Sequence, residues 1–459
     1  MAPLPRCAPS AQDTDARGVV AFLDAIDGRS GTEPHSLMLL RHGRVIAEGW
    51  WAPYTPDGIQ HLYSLSKIFT STAAGFAWAE GLLDLDAPVL SHFPELDAEI
   101  TDPGSRSIRI RHIASMSAGH STEQWHRALA ADRAEPVRGF LLEPPDGVPG
   151  QTFAYSQSTT YTLAAVIQRV TGQTLTEFLR PRLFEPLEIG QASWTQHPAG
   201  RDAGFAGLHT TTEAVARLGQ LYAQGGVWEG RRLLAPEWVA EATRAQVDNS
   251  GTGWTRDWTQ GYGFQFWMSR HGYRGDGAFG QFCLVLPEQD VVLALTAETD
   301  NLQAVLDAAW THLLPAFEGA GRDAAGADAE LGHRLTGLQL PFPTGAEAPD
   351  GEFTAAHSAL AHLTRIAVTS GALTLHEEDG TATTLPLVTG AWPMRGQLAA
   401  RAARTDADTV MVHVQFVQTP HKLRITCDLR TGTFEAAWRM VPLTVRPATT
   451  LSAMARPTS

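Results

Sequence analysis

The amino-acid sequence predicts an α+β protein followed by a separate antiparallel β unit, a barrel or a sandwich. Three observations carry that prediction. Strand-like hairpins stand at both ends of the N-terminal region with helical patterns between them, a Gly-, Ala- and Asp-rich stretch follows, and short alternating runs fill the remainder.

The first hairpin is residues 36–51, SLMLLRHGRVIAEGWW, two β-prone runs around Arg41-His42-Gly43-Arg44 in which Gly43 can take the positive φ of a tight turn. Helical spacing then runs through residues 70–83, 159–172 and 211–226, the last two stopping at glycine. A second hairpin, QFCLVLPEQDVVLALT (281–296), turns at Pro287-Glu288-Gln289-Asp290, and a further helix is expected over 302–317. Strands that enclose helices in this way imply a sheet assembled from distant parts with a helical insert beside it, not repeated βαβ units. The stretch EGAGRDAAGADAELG (318–332) reads as a linker. Beyond it, RIAVTSGALTLHEE, TVMVHVQFVQTP, HKLRITCDL and GTFEAAWRMVPLTV alternate as strands separated by turns. The expected division is a first domain over 1–320, a linker over 321–338 and the β domain over 339–459.

Composition excludes several classes of function. A chain of 459 residues is long enough for two domains, and an apolar fraction of 43% with 18% charged residues describes a soluble globular protein. A net charge of −14 without a basic cluster argues against nucleic acid or a membrane surface as partner. Cys7, Cys283 and Cys427 form neither a zinc pattern nor a dense disulfide framework, so free thiols in a reducing compartment are expected. The opening MAPLPRCAPSAQDTDARG has no continuous apolar core before a cleavage site, and no stretch reaches transmembrane length. A cytoplasmic protein is expected, unless a leader has already been removed.

The most informative stretch is HLYSLSKIFT (61–70). It holds Lys67, one of only two lysines in the chain, the other being Lys422. Arginine cannot normally give up its proton, whereas a lysine amine can be tuned into a base. If the helix begins near Ser64, then Ser64 and Lys67 share one face a turn apart. The helix N-terminus there suits a developing oxyanion. Lys67 can accept the Ser64 proton provided burial lowers its pKa. Taken alone, the pair reads as a capping serine and a solvated lysine.

From Ser64 to about residue 317 the sequence resembles the serine β-lactamase and penicillin-binding protein superfamily, nearest its class C-like branch, which includes esterases, D-aminopeptidases and other amide hydrolases. YSLSKIFTS resembles the nucleophile motif, and IRIRHIASMSAGH (108–120) the segment usually ending in Thr-Ser-Gly. PGQTFAYSQSTTYTLAAVIQRVTGQTLTEFLRPRLFEPLEIG (149–190) resembles the segment with the Tyr-x-Asn motif, and GLHTTTEAVARLGQLYAQGGVWEGRRLLAPEWV (207–239) and GYGFQFW (261–267) match further landmarks. The resemblance implies a β-lactamase/transpeptidase-like fold, an antiparallel sheet flanked by helices with a helical subdomain. It also implies roles: Ser64 as the acylated nucleophile, Lys67 as its proton partner, and Tyr155 as the phenol relaying a proton to the leaving group. Gln157 stands where the family usually has a substrate-contacting Asn; it keeps the donor and acceptor set but adds a methylene. The third motif departs further. Arg274-Gly275-Asp276-Gly277 occupies the place of Lys-Thr-Gly or His-x-Gly on the strand that binds substrate. Its glycines would let backbone approach closely, and Asp276 would disfavour an anionic substrate. Arg274 either supplies the missing cation or lies in solvent on a tight turn.

The expected function is therefore a serine hydrolase, a cytoplasmic esterase or small-amide hydrolase that acts on a small-molecule ester or amide through a Ser64 acyl-enzyme. No cofactor is called for, and His112, His120 and His126 are too loosely spaced to favour a metal site. A β-lactamase or D-amino-acid peptidase is the alternative within the family. From another class, the altered third motif admits a catalytically silent binding or regulatory protein. An α/β-hydrolase is set aside, because its Gly-x-Ser-x-Gly elbow is missing; the nearest stretch is GHSTE at 119–123.

Overall fold

Six strands build the main sheet: β1 (Glu33–Arg41), β2 (Arg44–Trp50), β3 (Trp267–Met268), β4 (Tyr273–Gly277), β5 (Gln281–Leu286) and β6 (Val291–Glu298). They lie in the order β2-β1-β6-β5-β4-β3, each neighbouring pair antiparallel. The two expected hairpins thus come from opposite ends of the helical region and pair through β1 and β6. In the first, His42 and Gly43 both have positive φ, 50° and 72°, the twist a two-residue hairpin turn requires. The computed structural model describes residues 3–27, 31–388, 390–443 and 450–451. Thr444 and Val445 of the last expected β run lie outside them.

Alternation along the strands gives the sheet two apolar faces. Leu37, Leu39, Leu284, Leu293 and Leu295 pack against α1 (Ala16–Ile26) and the helical segment that starts with α5 (Leu302–Ala308). Met38, Leu40, Val285, Val292 and Ala294 face α2 (Ser66–Ala79) and α4 (Thr212–Ala223). Between these last two runs α3 (Gln157–Thr171), which ends on Gly172 in the left-handed conformation. Helix α2 is buried from Ser66 through Ala77, so even its polar residues lie inside.

The expected linker is ordered. Residues 324–334 form α6 (Ala324–Arg334), which rests on α1 through buried Ala327 and Leu331. Arg334 pairs with Asp24 at 3.0 Å and Asp27 at 2.7 Å. The alanines that made the stretch look featureless are strong helix formers.

The C-terminal region is one nine-stranded sheet: β7 (Gly351–Ser358), β8 (Leu363–Thr369), β9 (Ala372–Glu377), β10 (Ala382–Pro386), β11 (Met394–Arg395), β12 (Leu398–Arg404), β13 (Thr409–Phe416), β14 (Lys422–Asp428) and β15 (Thr433–Trp438). The order is β10-β9-β8-β7-β15-β14-β13-β12-β11. All neighbours are antiparallel except β7 and β15, the first and last strands of the unit. The outer strands approach each other, with Arg395 donating to the Thr384 carbonyl at 2.7 Å, so the sheet is a nearly closed barrel, not a sandwich. Val410, Val412 and Val414 of β13 and Leu423, Ile425 and Cys427 of β14 fill its interior.

The barrel docks on the end of the main sheet through charge. Glu33 of β1 is bonded to Lys422 and, at 2.8 Å, to Arg439; Arg439 also reaches Glu298 of β6 at 3.2 Å. All four side chains are buried or nearly so. Among the described residues no helix is long and apolar enough to cross a membrane.

Candidate active site

Ser64 sits in a single 3-10 turn, Tyr63–Leu65, that leads directly into α2. It is half-buried while its neighbours Tyr63, Leu65, Ser66 and Lys67 are buried. Lys67 Nζ donates to Ser64 Oγ at 3.1 Å, the approach expected of residues three apart on a helix. The amine makes two further bonds, to Gln157 Oε1 at 2.7 Å and to the Phe205 carbonyl at 2.8 Å. All three partners are uncharged oxygens.

With 1% of its surface exposed, Lys67 pays a large desolvation cost as a cation. Burial pulls its pKa down to about 7, against the opposing pull of the Glu123 and Asp276 carboxylates. Neither carboxylate is in contact with the amine, and each is engaged elsewhere. Tyr155 meets the Ser64 hydroxyl, and its ring centroid lies 4.8 Å from Lys67 Nζ. Burial raises the phenol well above its ordinary value, with Asp276 pushing the same way. At neutral pH the phenol therefore keeps its proton, while the amine can lose one.

The structure brings Ser64, Lys67, Tyr155 and Gln157 together. Gln157 opens α3, and its side-chain Oε1 accepts from Lys67. Its backbone N–H donates to Glu123 at 2.7 Å, and Ser156 Oγ donates to the same carboxylate at 3.3 Å. Glu123 thus caps α3, where a negative charge is favoured, and it fixes the segment carrying Tyr155 and Gln157. Sequence reasoning missed this residue, having met it only as the end of GHSTE. A carboxylate that caps a helix from a distant loop leaves no local pattern.

The segment Arg274-Gly275-Asp276-Gly277 belongs to β4 and is entirely buried. Arg274 has no exposed surface, which removes the solvent-facing turn. Its Nε donates to Asp276 Oδ2 at 2.9 Å, Nη1 donates to the Asp257 carbonyl at 2.9 Å, and the guanidinium lies 4.3 Å over Trp258. Its charge is thereby matched within the strand. The signal was present in the sequence, since residues two apart on a strand share a face. A side chain at Gly275 would lie 2.5 Å from Ile68 Cγ2, and one at Gly277 2.3 Å from the Leu62 carbonyl. These glycines let β4 press against the segment that carries Ser64.

Aromatic rings wall the site. Tyr155 stacks on Trp267 at 5.0 Å, and Trp254, 43% exposed, reaches both. Phe205 lies on the other side of Lys67, its centroid 5.9 Å from Nζ, backed by Trp125. His112 accepts from the Arg109 backbone N–H at 3.2 Å and His120 Nε2 donates to the Glu143 carbonyl at 3.0 Å, and no cluster of metal-ligating side chains occurs among the described residues.

The Beta-lactamase family profile matches residues 19–317. A 6-aminohexanoate-dimer hydrolase of Paenarthrobacter ureafaciens is 28% identical over 320 residues, 63% of this chain and 81% of the relative. A lovastatin esterase of Penicillium rubens is 28% identical over 181 residues, 35% of this chain and 45% of the relative. Among solved structures, the octameric penicillin-binding protein homologue from Pyrococcus abyssi shares the fold with a TM-score of 0.53 at 14% identity. That match covers 89% of this chain and 97% of the homologue. EstCE1, a hydrolase with promiscuous acyltransferase activity, has a TM-score of 0.51 at 19% identity, covering 64% of this chain and 97% of its own.

Proposed function

Because the chain belongs to the Beta-lactamase family and is a serine hydrolase, we propose that Ser64 is its nucleophile and that it cleaves small uncharged esters or amides through an acyl-enzyme. The carrying observation is a wholly buried amine, Lys67, 3.1 Å from Ser64 Oγ and held only by neutral oxygens. In the proposed acylation, neutral Lys67 takes the Ser64 proton as Oγ attacks the carbonyl. Backbone N–H groups of Ser64 and of the Gly277 end of β4 hold the oxyanion. Tyr155, still a phenol, passes a proton to the leaving group and recovers one from Lys67. The tetrahedral intermediate collapses, the ester C–O or amide C–N bond breaks, and the acyl group stays on Ser64. Water then attacks the acyl-enzyme under the same groups and releases the acid.

The choice of substrate class rests on charge. Arg274 is spent on Asp276, so among the described residues it offers no free cation to a substrate carboxylate, while Glu123 and Asp276 lie close enough to act on Lys67. This disfavours the anionic β-lactams and C-terminal peptides that the family's third motif serves. The names of the two curated relatives, one hydrolysing a 6-aminohexanoate dimer and the other lovastatin, support an amide or ester of a small molecule as the bond cleaved, and the preference for uncharged substrates rests on the site alone. The aromatic wall around Tyr155 supports an apolar group on one side of the scissile bond. A cytoplasmic setting is part of the same reading, supported by three free thiols.

Hydrolysis of a p-nitrophenyl ester series by wild type and Ser64→Ala is the test. Turnover that vanishes in the variant is the expected result, and chain-length preference then sizes the pocket. Wild-type turnover no faster than that of the variant would argue for a silent binding protein on this fold.

A further inference from the structure

The residue just before the nucleophile is where the C-terminal barrel touches the active-site segment. Tyr63 has φ 48°, in the left-handed region that a bulky residue without glycine's freedom rarely occupies. Something must hold it there. Its backbone is pinned from the hydrolase side: the Tyr63 carbonyl accepts from Ser66 Oγ at 2.6 Å, and that oxygen accepts from the Leu208 N–H at 3.1 Å.

Its side chain is pinned from the barrel. The hairpin between β13 and β14 brings His421 Nε2 to 2.5 Å from Tyr63 Oη, inside a buried cluster in which Phe279 packs edge-on against both rings. The same hairpin is anchored at two more points, by His61 N–H donating to the Gln418 carbonyl at 2.8 Å and Tyr54 Oη donating to the Thr419 carbonyl at 3.0 Å. Behind His421, its Nδ1 lies 3.6 Å from Glu298 Oε1. Both atoms are buried and neither has a hydrogen-bond partner within 3.5 Å; a ring proton placed on Nδ1 faces the carboxylate. Nε2 is then the acceptor, and Tyr63 O–H the donor.

We propose that His421, supplied by the barrel, is a positioning residue for acylation: by holding Tyr63 in the left-handed conformation it sets the direction in which Ser64 presents its hydroxyl. This rests on the reading of Ser64 as nucleophile. It makes the docked barrel a condition for a competent nucleophile and not merely a neighbour of the substrate. The Tyr63 ring does not touch substrate; it acts through the backbone it shares with Ser64.

The decisive variant is Tyr63→Phe in the full-length chain, which removes one oxygen and leaves the packing. It is compared with His421→Ala, His421→Gln and the Tyr63→Phe/His421→Ala double variant. Single-turnover acylation by a p-nitrophenyl ester is measured per active site titrated with a fluorophosphonate, alongside KM and thermal unfolding. Tyr63→Phe and His421→Ala should each slow acylation about 10- to 100-fold with KM within about threefold, the range a misplaced reacting group produces. The double variant should be no slower than the worse single one, and His421→Gln, which can still bond Tyr63 Oη, should recover most of the rate. Wild-type acylation by Tyr63→Phe, with only a lower melting temperature, would overturn the proposal and leave His421 a packing contact. If Ser64→Ala in the same assay kept wild-type turnover, the nucleophile assignment itself would fall and the proposal with it.

Discussion

At the candidate active site, Lys67 is bonded to three neutral oxygens; at the seam between sheet and barrel, the chain's other lysine, Lys422, is bonded to a carboxylate, Glu33. Both side chains are withdrawn from water, and burial lowers both amines. At the seam Glu33 opposes that shift by direct contact, with Glu298 beside it, whereas Glu123 and Asp276 oppose it at Lys67 only from a distance. Two carboxylates, Glu33 and Glu298, face Lys422 and Arg439, with Arg424 3.8 Å from Glu33 at the edge. Charge there is matched, and its work is to join two units. Around Lys67 the nearest carboxylates are tied up, Glu123 by the N-terminus of α3 and Asp276 by Arg274. What separates the proposed base from a clasp is whether a carboxylate is in contact, because an ion pair stabilises the charged form that a base must be able to leave.

That contrast can be broken most sharply at Lys67. Lys67→Arg keeps a cation but cannot deprotonate, so kcat for a p-nitrophenyl ester should fall by about 10²- to 10⁴-fold with the fold intact by circular dichroism. A fall of less than tenfold would mean that Lys67 is not the base. At the seam the expected loss is of stability. Lys422→Met leaves Glu33 with Arg439 at 2.8 Å and Arg424 at 3.8 Å and should destabilise the protein by about 3 kcal/mol in urea unfolding, with little change in kcat per folded molecule. A large loss of kcat at unchanged stability would move Lys422 from the seam into the active site.

The smallest effect, and the one that sharpens the comparison, is on pH. With Lys67 held at about 7, the neutral amine disappears as pH drops through that value. The kcat/KM should then fall about tenfold per unit below it and level off above. Stability moves in the same direction. Between about 7 and the ordinary lysine value of 10.5, the unfolded chain holds a proton that the folded chain has released. This amine therefore adds stability as pH rises, by about 1.4 kcal/mol per unit. Replacing Lys67 with Met should remove that slope from urea unfolding followed between pH 7.5 and 9.

Much of the site was legible because its signals are local. Ser64 and Lys67 are one helical turn apart, the hairpins at 36–51 and 281–296 carry their own turn residues, and Tyr155 with Gln157 stands before a helix of clear period. Where the reading stopped, the deciding contact came from elsewhere in the chain. Whether Arg274 met solvent, substrate or Asp276 depended on what covers β4, although its spacing from Asp276 was already a hint. Glu123 was passed over because a loop becomes a helix cap only when the helix arrives. The stretch at 318–332 looked like a linker because alanine is uninformative until a surface such as α1 is there to receive it.

By itself the sequence determined which groups can carry the chemistry, since a serine, a lysine and a tyrosine in these motifs hold their reactivity in their own side chains and short-range spacing. Only the tertiary structure decided their state. The burial that brings Lys67 to about 7, the ion pair that spends Arg274 and the barrel histidine that reaches Tyr63 are made by residues far apart along the chain. Desolvation and contact are properties of everything that packs around a group, not of the group or its neighbours in sequence.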